Sequence, residues 1–182
     1  MIYFRYTEPM KLSIQTTPED QRIAWLAALA ITIHIAESAL PSPIPGVKPG
    51  LANIITIICL MQYGWRCAAW VATLRVLVGS ILIGTFLSPT FALSMSGAIA
   101  SIIVLGLASR LPVEFGAVGY SLLAAIAHMS AQFFVAYSLF IPHQGLFHLL
   151  PILITVAIVF GIGSGIIANQ IINKIKEQQT ES

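Results

Sequence analysis

At 182 residues the chain has the length of one domain, and 57% of it is hydrophobic against 9% charged, far below the roughly 25% charged residues of a soluble globular domain. That composition excludes an ordinary water-soluble fold and marks an integral membrane protein. The net charge of +2 comes from scattered Lys and Arg, not from a basic stripe, which argues against nucleic-acid binding.

Residues 1–21 read as a polar N-terminal tail of mixed charge. The apolar run after them carries His34 and Glu37 and ends in a proline-rich loop, which is not the pattern of a cleavable signal peptide. Runs of apolar residues broken by Pro and Gly predict six membrane helices, over 22–40, 50–63, 65–86, 89–109, 115–140 and 149–172. Residues 22–172 thus form one transmembrane domain, and 173–182 a short C-terminal tail.

The second span is the odd one, since about fourteen residues at 1.5 Å each reach only ~21 Å of a ~30 Å hydrocarbon core. Its start should lie below the membrane surface, where irregular backbone is tolerated only against protein or a watery cavity. The preceding PSPIPGVKPG segment is therefore a candidate lining for a site. The third span holds a single charged residue, Arg75, within the stretch from Cys67 to Leu87. A central Arg costs roughly 3 kcal/mol on insertion scales, so it normally faces a polar interior with a partner. Ser88 before Pro89 is an N-cap followed by a first-turn proline and should start the fourth helix.

Arg5, Lys11, Arg22, Arg66, Arg110, Lys174 and Lys176 all flank one side of this arrangement, against Lys48 on the other. The distribution predicts that both termini are cytoplasmic. Glu37, Lys48 and Asn53 then lie toward the outer side, and Arg75 and His128 near the midplane. Ser80 and Thr85 follow outward on the third helix, and Gln132 sits one turn beyond His128 on the fifth. The inner half is mainly Ala, Ile, Leu, Val and Gly, so the pattern predicts a cavity open outward and closed below.

Each polar residue keeps two readings. Glu37 either contacts a ligand or neutralises Arg75 or Lys48. His128 and Gln132 either contact a ligand or hydrogen-bond between helices, and Asn53 either does so or caps a short helix. Cys59 and Cys67 lack metal-ligand spacing and read as packing residues. His143 and His148 flank a short outer loop with too few neighbouring ligands for a metal and read as a lid or interfacial anchor. No metal site and no cofactor is expected. Gly161 with Gly165, and Ala24 with Ala28, have the small-xxx-small spacing of close helix packing or a partner face.

The runs GVKPGLANIITI, LRVLVGSILIGTFLSPTFALSMSGAIAS and AIAHMSAQ resemble the bacterial Gx transporter family, whose members are often labelled heptaprenyl diphosphate synthase component I. The resemblance covers about residues 25–172. Glu37, Gly46, Lys48, Gly50, Leu51, Ala52, Asn53, Arg75, Gly79, Ser80, Gly84, Thr85, Ser88, Pro89, His128 and Gln132 fill the family pattern, while Pro49, Met129 and Ala131 depart from it. That family in turn is similar to the substrate-binding S components of energy-coupling factor transporters. The similarity implies an S-component-like bundle in the bacterial cytoplasmic (inner) membrane, an outward-facing site for a small molecule, and partners consisting of a coupling membrane protein with cytoplasmic ATPases. It also implies a docking face on the first helix, at Ala24, Ala27 and Ala28. The chain has no P-loop of its own, so ATP use would belong to the partners.

The synthase label meets a chemical objection. Magnesium-dependent prenyl transfer needs several carboxylate or phosphate oxygens around the metal, and the chain has one Asp, Asp20. The expectation is a non-enzymatic, all-α, six-helix substrate-binding transport subunit. The ligand is expected to be a small molecule, either anionic, since Lys48, Arg75 and His128 point to a group such as carboxylate or phosphate, or isoprenoid-related. A noncatalytic membrane subunit of polyprenyl diphosphate synthesis is the alternative. A scaffold protein, and a membrane enzyme using Glu37 with His128, stay open.

Overall fold

The first helix starts at a capping box that a hydropathy profile does not register. Thr17 accepts a hydrogen bond from the Asp20 backbone N–H (3.2 Å), and its own N–H donates to the Asp20 carboxylate (2.9 Å), so two otherwise orphaned donors are satisfied. Pro18 follows in the first turn, where a missing N–H costs nothing. The helix therefore begins four residues before the apolar run does.

The computed structural model of the protein describes residues 16–39 and 51–181; the whole proline-rich segment, with Lys48, lies outside them. Six α-helices follow in order: α1 (Pro18–Ala39), α2 (Leu51–Tyr63), α3 (Trp65–Ile83), α4 (Pro89–Ala108), α5 (Ala117–Val135) and α6 (Leu150–Glu181). A π-helical turn, Ala136–Phe140, and a 3-10 helix, Gln144–Leu149, join α5 to α6. There is no strand among the described residues.

Local chemistry sets the boundaries. Gly84 closes α3 at φ 77°, a left-handed conformation that costs a glycine little. Ser88 accepts from the Phe91 N–H at 3.3 Å and Pro89 occupies the first turn of α4, as the sequence predicts. The apolar pattern of the last span stops near 172, but α6 runs on as a helix to Glu181, because NKIKEQQTE contains no Gly or Pro to end it.

Five helices are long and apolar enough to cross a membrane. Only α2 is not: its 13 residues span about 20 Å. It lies instead inside the bundle, packed against α1, α3, α5 and α6, with every residue from Ile54 to Leu60 buried. A helix that is apolar all round has no face to give to water, and here its neighbours surround it. The outward faces of the others carry Trp70, Ile81, Leu82, Ile103, Phe134, Ile152 and Val159, all exposed. So much contiguous apolar surface calls for lipid rather than water as solvent. The protein is a multi-pass membrane protein.

Lipid tails are as apolar as Leu, so helices associate here through close packing of small residues. Ala27, Ala30, Ala68, Ala117, Ala124 and Ala168 join Ile57, Val71, Leu105 and the two free thiols of Cys59 and Cys67 in one core. Gly161 and Gly165 form the contact of α6 with α5. A Cβ on Gly165 would come within 2.5 Å of the Val118 Cα, and one on Gly161 within 3.3 Å of the Leu122 Cα.

Candidate functional site

At the end of the bundle away from the start of α1, the packed core gives way to a cavity of about 250 Å³. All six helices line it. α1 presents His34 and Glu37, one turn apart on a single face. α3 adds Arg75 and Val76, α2 adds Asn53, and α4 adds Thr90, Leu93 and Ser94. α5 supplies Ala125, His128, Met129 and Gln132 at helical spacing, and α6 supplies Val156, Ala157, Phe160, Gly161 and Ser164. The polar side chains thus come two each from α1, α4 and α5, with Arg75 the charge from α3. The wall from α6 is mostly apolar.

Arg75 is the dominant charge. It is 7% exposed, and its Nε is buried without a hydrogen-bond partner. Glu37, 4% exposed, is the carboxylate that acts on it electrostatically. A guanidinium has five donors in a planar fork and normally satisfies them when desolvated. Arg75 therefore lines the cavity with its guanidinium not fully satisfied by the protein.

Two glycines make room for the two imidazoles. A Cβ on Gly97 would lie 2.6 Å from Cε1 of His128, and one on Gly79 would lie 2.9 Å from Cδ2 of His34. Real Cβ contacts do not come so close, so α4 and α3 can hold these rings close against their backbones only as glycine-bearing helices. The rings are thereby positioned by packing. Ser101 adds a further tie between α4 and α5, its hydroxyl donating to the Ala124 carbonyl at 2.9 Å.

Of the eight residues expected at a ligand site, Glu37, Asn53, Arg75, His128 and Gln132 come together on this one cavity. Lys48 lies outside the described residues. Ser80 and Thr85 are placed elsewhere. The Ser80 hydroxyl, buried, donates to the Leu77 carbonyl one turn back at 2.8 Å. The Thr85 carbonyl accepts from the Ser88 hydroxyl at 2.6 Å and the Ser88 N–H at 3.0 Å, so Thr85 belongs to the α3–α4 turn. Four polar lining residues escaped the sequence reading: His34, Thr90, Ser94 and Ser164. His34 was legible, three residues before Glu37 on the same helix face. Thr90 and Ser94 share i, i+4 spacing on α4, a weaker signal, and Ser164 sits among glycines that read as packing.

The three alanines expected on a docking face do not share one. Ala24 and Ala28 are exposed beside Trp25, but Ala27 is 3% exposed and packs in the core. The loop histidines serve as local braces. His143 Nδ1 accepts from the Gly145 N–H at 3.0 Å, and His148 Nδ1 lies 3.3 Å from the Gly145 carbonyl. Among the described residues no three His, Cys, Asp or Glu side chains are grouped to hold a metal.

A lipid-facing helical bundle wrapped around a small polar cavity with a buried, under-satisfied arginine defines a multi-pass membrane protein with a candidate ligand site. The chain belongs to the family described as heptaprenyl diphosphate synthase component I, which matches it over residues 26–171. No curated protein and no solved structure matches it.

Proposed function

We propose that this protein is the substrate-binding membrane subunit of an uptake system in a bacterial cytoplasmic membrane, taking a small molecule into the cavity around Arg75. The observation that carries the reading is Arg75, a buried charge on the wall of a 250 Å³ cavity, with its Nε left without a hydrogen-bond partner. A guanidinium kept only to staple helices would have its donors satisfied by carbonyls and carboxylates. The sequence has no P-loop motif, so energy would come from partners, a coupling membrane protein with cytoplasmic ATPases. Both termini would be cytoplasmic and the cavity would open outward, as the basic flanks indicate.

The exposed strip of Ala24 and Ala28 on α1 is the surface offered to such a partner. Replacing both with Trp should leave the purified protein folded and ligand-competent while uptake into cells falls by at least tenfold. Uptake equal to wild type would remove this face from the partner interface. The subunit reading itself is tested by substrate accumulation in proteoliposomes carrying the protein with and without its neighbours.

The family description favours a second reading, a noncatalytic membrane component that works beside a polyprenyl diphosphate synthase. With one Asp in the whole sequence, the chain would not hold the magnesium of prenyl transfer by itself. A stable complex with a soluble prenyl synthase, isolated from native membranes, would favour that reading over transport.

A further inference from the structure

We infer that the cavity takes a compact molecule of about ten non-hydrogen atoms, with an oxyanion head set against Arg75 and an apolar body against α6, and that it excludes a polyprenyl chain. The inference rests on the binding-site reading above and narrows it to a substrate class.

The size follows from the volume. A 150 Å³ apolar cavity accommodates benzene, so 250 Å³ accommodates a body of about ten heavy atoms on the same scale. A heptaprenyl chain, with seven five-carbon units, needs several times that space. Among the described residues the other half of the bundle is packed, with Ala30, Ile57, Cys59, Val71, Ala124 and Ala168 each 0% exposed, so a longer tail has no room in that direction.

The head follows from Arg75. Its Nε is buried and unpartnered, and a carboxylate or phosphate oxygen is the acceptor that matches a guanidinium fork with charge-assisted hydrogen bonds. Glu37 balances part of the arginine charge, and an ammonium group elsewhere on the ligand is compatible with that. Asn53, His128 and Gln132 supply further polar contacts, while Val156, Ala157 and Phe160 offer only hydrocarbon. The lining is thus divided, and a molecule with one charged and one apolar end matches it.

The test uses the full-length protein in lipid nanodiscs, with equilibrium dialysis against radiolabelled phenylacetate. The neutral isostere phenylacetamide and the short polyprenyl compound farnesyl diphosphate serve as competitors. Saturable one-site binding is expected, with phenylacetamide at least tenfold weaker and farnesyl diphosphate unable to displace the label. Arg75→Gln should weaken binding at least tenfold. Because that variant also removes a buried charge and so disturbs folding, Ala157→Leu provides a second arm: it fills the apolar end, leaves the guanidinium alone and should also weaken phenylacetate at least tenfold. Equal affinity for the amide, or unchanged binding in a folded Ala157→Leu protein, would overturn the inference. Displacement by farnesyl diphosphate would overturn the substrate class while leaving a ligand site in place. No Arg75-dependent binding of any of the three would sink the site reading as well.

Discussion

The two ends of the same helices are built on opposite principles. Along α1, Ala27 and Ala30 pack in the core while His34 and Glu37 line the cavity; along α3 the change comes between Val71 and Arg75, and along α5 between Ala117 and His128. α6 runs the other way, from Val156 and Phe160 at the cavity to Ala168 and Ile172 in the core. One end minimises distance between backbones with Ala and Gly, and the other keeps them apart around polar groups. A binding cavity in a bilayer requires both, because the open end has few contacts of its own and must be held in shape by a floor that does not yield.

The contrast makes the cavity end sensitive in ligand affinity and the floor sensitive in stability. Removing Arg75 should have the largest effect. Arg75→Ala leaves Glu37 buried beside a lost cation, and breaking a buried charge pair costs about 3–5 kcal/mol. Chemical denaturation in detergent should read that loss, and ligand binding should vanish with it. Adding Glu37→Gln separates the two: recovered stability without recovered affinity is the expected result. Recovery of both would make the pair structural and dissolve the distinction between the two ends.

Gly97→Ala sharpens the comparison at the cavity wall. Its Cβ would stand 2.6 Å from the His128 ring, and overpacking of this kind costs roughly 1–3 kcal/mol. The imidazole can yield into the cavity, so ligand affinity should fall more than thermal stability does. An unchanged affinity would show that His128 is not part of the ligand site. At the floor, Ile57→Ala should cost about 2 kcal/mol, and the cause differs from that in a soluble protein. Lipid solvates isoleucine as well as the core does, so only the residual cavity and lost dispersion contacts count. Ligand affinity of the folded fraction should stay within twofold of wild type; a larger drop would mean that the floor shapes the site directly.

Helical phase explains which of the expected residues reach the cavity and which do not. Gln132 follows His128 by four residues, a rotation of about 40°, and both reach the cavity. Ser80 follows Arg75 by five, about 140° around the helix, and its hydroxyl donates to the Leu77 carbonyl. Depth in the membrane groups these residues alike, and only rotation tells them apart. The same arithmetic puts His34 with Glu37, a pairing that attention to charge alone passes over because an imidazole is less conspicuous than a carboxylate.

The sequence by itself determined the solvent, the spacing of the helices, the capped start of α4, the shortness of α2 and the presence of an arginine that needs a polar interior. These follow from local composition, from turn and cap chemistry, and from the cost of charge in hydrocarbon. Tertiary structure alone decided the rest. It set which side of α1 is covered, burying Ala27 while leaving Ala24 and Ala28 exposed. It also set which glycine faces which ring, pairing Gly97 with His128 and Gly79 with His34 across helix boundaries. The physical reason is that in a bilayer most faces of a helix are equally apolar, so hydrophobic periodicity carries little directional information. The choice of neighbours passes to the fit of small residues against large ones on other helices.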